Sequence, residues 1–593
     1  MKKLFYGLFL CSIPCFSFAQ GTITGDLMTN VNFFSRDSAI KANGNPLYDH
    51  LLSGGETWLS LRYNNNKGFT ATLRGDAFQN SILLTPGQAF TGFGIGAWNV
   101  TKEFKDFRIS FGYIYDQIGS GILFRSYEDR GLLIDNALVG LQLKYKLNEH
   151  ITLKALSGQQ KKVPTFFKSG ENLYQPIIKA INVEGDYTFG NDIHITPGIG
   201  ILNRTLDQSS MDIVVNNINN QTLSTRFVPT YNTNAYTLYN TLNKGDFSWY
   251  AEAAFKSHEA ILKNNSLQDL SGSVFYSTLG YAKKGIAINI SGKRTENFVM
   301  RTSPNEILLR GMMNWQPVIA RIRPQRVMSR YTPASQDISE VSLGSDVLIS
   351  PNDQTSITLN YTHINTLGQN KLFREFFAEA EYRGIPKWTI EGGVQYLEYN
   401  KEVYQVVPNA GILYAFTPFT EITYKINRKK SIRTEFQYMS TKQDYGSWLF
   451  ALVEYNIAPK LSFALSDMYN IAPNHEMVSK ANHYYNCFVA FTKGAKDVIA
   501  NPSAAIADVK ARDGIINVEL ETRRLQLAID TVINSPSARE EGFGQIKGPR
   551  LSLMASQVSD AFATKTRVKA DDIWNGSFLP SAKELDILPK PKK

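Results

Sequence analysis

The sequence predicts an all-β fold, a large transmembrane antiparallel β-barrel of roughly 20 to 24 strands with a partly helical C-terminal tail. Three observations carry this expectation. Apolar and polar residues alternate with period two through most of the chain. The alternating runs have about the 9–12 residues that a tilted strand needs to cross a bilayer. The 29 Tyr and 35 Phe among 593 residues gather at the ends of these runs, as interfacial girdles do. Mean hydropathy is slightly negative. Past the first residues no apolar run reaches the ~18 residues of a spanning helix.

The chain opens with "MKKLFYGLFLCSIPCFSFAQG". Lys2 and Lys3 form a basic start, Leu4 to Ile13 an apolar stretch, and Ser17 and Ala19 a small-residue cleavage pattern. Residues 1–19 therefore read as a secretory signal peptide. A lipoprotein reading through Cys15 is the weaker alternative, because "SIPC" is a poor lipidation motif; a buried N-terminal helix is the other. Cys11 and Cys15 leave with the signal. Cys487 is then the last cysteine, which excludes an intrachain disulfide and a cysteine metal cluster. The net charge of +10 suits anionic solutes or lipid headgroups in an exported protein, not nucleic acid.

The barrel is expected over residues 20–494. "FRISFGYIY" puts Phe107, Ile109, Phe111, Tyr113 and Tyr115 on one face and Arg108, Ser110 and Gly112 on the other. "VGLQLKYKL" sets Val139, Leu141, Leu143 and Tyr145 against Gln142, Lys144 and Lys146. "FSWYAEAAFK" and "WTIEGGVQY" separate in the same way, with Glu252 and Glu391 on the polar faces. A turn at Lys429 joins "EITYKIN" to "SIRTEFQY". "YYNCFVAF" ends on an aromatic and reads as the closing strand. Soluble β-sandwiches or a propeller also alternate, but no blade-length repeat occurs. They also leave unexplained why the apolar faces carry almost no charge. Lipid cannot satisfy the edge groups of a sheet, so a membrane sheet must close.

Two segments break the pattern. Residues 296–336 carry Arg301, Arg310, Arg321, Arg323, Arg326 and Arg330 against Glu306. They read as a long loop with a helical turn that folds into the lumen, or as a basic extracellular loop. Residues 495–593 read as a periplasmic or flexible tail. In it "LQLAIDTVI" has helical spacing, while "GIINVELET" is alternatively one more strand.

No catalytic constellation stands out. Seven His are scattered without ligand spacing, no GxSxG occurs, and "GFGIG" at Gly92 to Gly96 lacks the Lys-Ser/Thr of a phosphate loop. The expectation is a non-enzyme with no cofactor. Charges facing the lumen are the candidate functional residues. Arg108, Lys144, Lys146 and Lys154 come from early strands, and Glu375, Glu379, Glu381 and Glu391 from late ones. These form one basic and one acidic wall, for orienting solutes, for solvating the interior, or for pairing with an inserted loop. "FRSYEDRGLLIDNALVG", Phe124 to Gly140, is a connection between two strands. It carries Arg125, Glu128, Asp129, Arg130 and Asp135, and its spacing predicts the pairs Arg125–Glu128 and Arg130–Asp135.

The segment "RSYEDRGLLIDNALVGLQLKYKL", Arg125 to Leu147, with "GSGI" upstream, resembles an uncharacterised family of exported Bacteroidota proteins. The likeness covers Gly21 to about Gly494 and implies an outer-membrane β-barrel. It implies no chemistry. Two functions are consistent with these features. One is a subunit or scaffold of an outer-membrane complex for assembly, secretion or surface export. The other is a porin-like channel for polar or anionic solutes. The expected partners are outer-membrane lipid and other outer-membrane or periplasmic proteins.

Overall fold

The computed structural model describes residues 21–492, apart from 39–43, 45–50, 66, 86–87, 163–172, 191, 264–265, 307–309, 335–337, 428, 459 and 477–479. The expected signal peptide 1–19 and tail 495–593 lie outside the described residues.

Alternation becomes one antiparallel sheet of 23 strands, from Thr22–Phe33 to His483–Phe491. The short strand Tyr187–Phe189 pairs with Ile193–Thr205, as does Leu173–Gly185, so the 23 strands fill 22 positions. Each strand pairs with its neighbour in sequence, apart from two small hairpins inside one connection. The count lies within the expected range and is even. Strands are longer than expected, reaching 18 residues in Ser266–Lys283. The excess follows from hairpins whose strands stay paired past the region where their neighbours turn.

The two ends of the sheet differ. At one end the connections are short, such as 245–246 and 284–285. Gly245 (φ +53°) and Gly285 (φ +85°) supply the left-handed backbone that two-residue hairpins need. At the other end lie 115–137, 206–231, 297–339 and 401–411. The first strand starts and the last strand finishes at the short-turn end.

The two faces also differ. One carries exposed apolar side chains, including Ile23, Leu238 and Phe275. The other is largely covered by chain. Residues 115–137 touch Arg74 on strand Phe69–Thr85 and Glu252 on strand Phe247–Lys263. Strands far apart in the ladder thus meet one insert, so the sheet curls around it. Among the described residues no pairing joins the first strand to the last.

Gly112, Gly140 and Gly158 stand side by side on three neighbouring strands. A Cβ on Gly140 would lie 1.9 Å from the Ser157 carbonyl oxygen. These backbones approach too closely for any side chain there. Two sequence boundaries shift. Tyr115 falls outside its strand, Phe107–Ile114, because its hydroxyl turns to donate to Asp135. The next strand of the sheet begins at Leu138, one residue before the alternating run that starts at Val139.

Candidate functional site

The first insert, 115–137, folds onto the inner face as two small hairpins, Asp116–Ile118 with Phe124–Ser126 and Glu128–Asp129 with Ile134–Asp135. Ile118, Ile122, Leu123 and Phe124 are fully buried against Leu156, Ile178 and Leu202 of the wall. Gly119 and Gly121 take left-handed φ at the tip of the first hairpin. There the Ser120 amide donates to Glu252 at 2.9 Å.

Ion pairs hold this insert in place. Asp116 accepts from Lys154 Nζ at 2.8 Å and lies 3.3 Å from Lys144 Nζ. Burial pushes the Asp116 carboxyl up, but these two lysines outweigh it and hold it well below the usual carboxylate range. Arg74 forks onto Asp76 at 2.7 and 2.9 Å, and reaches Glu128 at 2.5 Å and Asp135 at 3.0 Å. Lys161 donates to Asp135 and to the Gly96 carbonyl. Burial raises Asp135 too, yet Lys161 and Arg74 bring it below its ordinary value. At Glu128 the balance reverses: burial wins over Arg74, and the carboxyl lies above its ordinary value. A small cavity lined by Trp58, Arg74, Glu128, Arg130 and Lys161 adjoins this knot.

The expected loop-internal pairs are not the ones that form. Glu128 and Asp135 reach out to strands instead, because the buried cations of the wall need partners more than the loop does. Arg130 lies 3.4 Å from Glu128 and packs over Trp58. Arg125 stacks on Tyr127. Asp129 accepts the Leu132 amide and shapes the turn.

The second insert follows Ile286–Glu296. Its first part is joined to the first insert by backbone hydrogen bonds, from the Arg125 amide to the Met313 carbonyl (2.9 Å) and from the Trp315 amide to the Gly121 carbonyl (3.0 Å). Tyr127 and Trp315 meet edge to face. The expected helical turn is the 3-10 turn Met328–Arg330. Arg323 forks onto Glu375 at 2.9 and 2.8 Å, with its guanidinium 3.8 Å from the centre of the Phe377 ring. Arg321 pairs with Asp346 at 2.6 Å. Arg330 lies over Trp448. Arg326 is exposed.

The predicted walls are therefore partly neutralised by the inserts: Lys144 and Lys154 through Asp116, and Glu375 through Arg323. Arg108 pairs with Glu103 at 3.4 Å, and Lys146 is exposed. The acidic wall extends further than expected. Glu381, Glu391, Glu421 and Glu435 stand directly opposite one another on four neighbouring strands. Glu379 shares their face. Like charges in that register oppose each other, and Arg433 bridges Glu421, Glu435 and Glu454 at 2.7 to 3.3 Å. Sequence reasoning missed Arg74, Asp76, Asp116, Lys161 and Asp444. Their one shared signal is a charge on the polar side of an alternating run or in a long connection. Among the described residues no group of three His, Cys, Asp or Glu could hold a metal ion.

The fold and site together define a large antiparallel β-sheet protein whose inner face is packed with its own chain. The chain belongs to the Family of unknown function (DUF6029), which matches residues 1–502. No curated protein matches it. Among solved structures it is similar to OccK8 (OprE) of Pseudomonas aeruginosa, at 10% identity and TM-score 0.33, covering 71% of this chain and 94% of that one. It is also similar to OccAB3 of Acinetobacter baumannii, at 9% identity and TM-score 0.33, covering 79% and 100%.

Proposed function

We propose that the chain is an integral outer-membrane β-barrel of a Gram-negative bacterium, of Bacteroidota by the family resemblance. It serves as a non-enzymatic subunit or scaffold of an outer-membrane complex for assembly, secretion or surface export. The exposed apolar face supports the membrane setting, and in lipid the first and last strands must pair to satisfy their edges. Short turns at one end and long connections at the other support a periplasmic and a surface side. Residues 1–19 are then the signal peptide and 495–593 the periplasmic tail.

The observation that carries the scaffold reading is the filled inner face. A free-standing porin needs an open water path lined by its charges. Here Glu375, Lys144 and Lys154 are engaged by the inserts. Purification from native membrane in mild detergent tests the reading. Stoichiometric outer-membrane or periplasmic partners are the expected result, and a barrel that always elutes alone would refute it. The second reading, a porin-like channel, is favoured by the glutamate row, whose sign suits cations and not the anions expected from net charge. Planar-bilayer conductance tests it.

A further inference from the structure

The two walls beneath the inserts both mix apolar and polar side chains, and differ in how the polar ones are engaged. Leu156, Ile178, Ala180, Leu202, Ala235 and Val274 are buried under the first insert and the start of the second. Buried with them are Asn182, Arg204, Thr237, Glu252 and Lys256, each with a hydrogen-bond partner. Across from them, Asn360, Thr362, Glu375, Gln395, Thr417 and Gln437 are each 2% exposed or less. That wall also carries Phe373, Phe377, Leu397 and Leu413, so the amides, hydroxyls and carboxylate are buried there among apolar side chains, which is costly for any that lacks a hydrogen bond. Among the described residues Thr362 Oγ1, Gln395 Oε1 and Thr417 Oγ1 have no hydrogen-bond partner.

The backbone divides the second insert at the same place. Residues 298–306 and 310–315 are tied to each other and to the first insert through Met300, Thr302, Gly311, Met313 and Trp315. From 316 to 334 the backbone–backbone bonds are local turns, such as Ser329 to Gln325 and Arg330 to Val327. Among the described residues none joins that stretch to the sheet or to the first insert. Side chains hold it instead: Arg321 on Asp346, Arg323 on Glu375 and Asn360, Gln437 on the Val327 amide, and Tyr331 on Asp444. Val327 and Tyr331 seat against Phe373, Leu397, Leu413 and Met439 at the long-connection end. That seat gives the stretch one closed position.

We propose that residues 316–334 are a releasable gate over a path for small cations, while the first insert with 298–306 and 310–315 is a permanent core. Release uncovers the polar wall, which continues toward the short-turn end into Glu379, Glu381, Glu391 and Glu421. The uncovered path is acidic, so cations enter and anions are repelled. This goes beyond the scaffold reading, since the path belongs to the chain itself.

The test uses the full chain in planar bilayers, without partners. Arg323→Gln removes the bidentate anchor and is expected to raise open probability at least about tenfold over wild type. The reversal potential in a KCl gradient should show cation preference. A pair Val327→Cys and Met439→Cys, made in a Cys487→Ser background and joined by a short bismaleimide, should silence the openings. Heat-modifiable migration on gels establishes that each variant is folded. If Arg323→Gln does not fold, the exposed anchor change Arg321→Gln takes its place with a smaller expected rise. Folded anchor variants that stay silent, openings that survive the cross-link, or anion preference would each overturn the gate. Co-purification of partners moves with none of these outcomes, so the gate and the scaffold reading fail separately.

Discussion

At the scale of residues, Asp135 ties the first insert to two strands at once. Its carboxylate is buried with Lys161 and Arg74. Changing Asp135 to Asn leaves two buried cations short of a counter-charge and should lower stability by ~3–5 kcal/mol. Urea unfolding of lipid-folded protein measures this, and an unchanged midpoint would count against the knot. The pH response has a definite sign. Asp116 and Asp135 lie below their ordinary 3.8 when folded, so their stabilisation is complete above that value and is lost as pH falls through the lowered values. Glu128, raised, acts in the opposite sense and gains stability as it takes up a proton. With two carboxylates against one, the first insert should stay docked to about pH 4 and loosen only below it. Trp315 fluorescence reports this through its packing on Tyr127; release near pH 6 would show that other groups hold the insert.

At the scale of elements, the strands were legible and their partners were not. Alternation in "VGLQLKYKL" or "WTIEGGVQY" marks a strand because its two faces meet different surroundings. The pairs that lock the inserts span long stretches of chain: Arg74 and Asp135 are 61 residues apart, and Arg323 and Glu375 are 52 apart. Nothing local records such a pairing. Spacing within the loop favours Arg125 with Glu128 and Arg130 with Asp135, and the buried Arg74 and Lys161 of the wall override it. Glu375 was legible as an inward charge, but its guanidinium partner was one of six arginines with equal claim. Two changes test the elements. Leu238→Lys puts a charge on the apolar outer face in mid-strand and should cost ~2–4 kcal/mol in a bilayer. The same change should cost little if that face meets water, so comparing folding in vesicles with that in detergent-free buffer separates the cases. Gly140→Val meets the Ser157 carbonyl and should prevent the three strands around it from pairing, read as loss of the heat-modifiable folded band.

At the scale of the whole molecule, 22 positions is an even number, and evenness has a consequence for topology. A meander with an even count of crossings returns to the side from which it left. Thr22 and Phe491 therefore share the short-turn side, while the connections 206–231 and 401–411 stand on the other. In intact cells the two sides would report differently. An epitope inserted after Leu223, an exposed residue of the first of these connections, should be stained by antibody without permeabilisation. One joined just after Phe491 should require it. Staining in the reverse pattern would invert the molecule in its membrane. The acidic row would then open toward the medium, and any traffic along it would begin outside the cell.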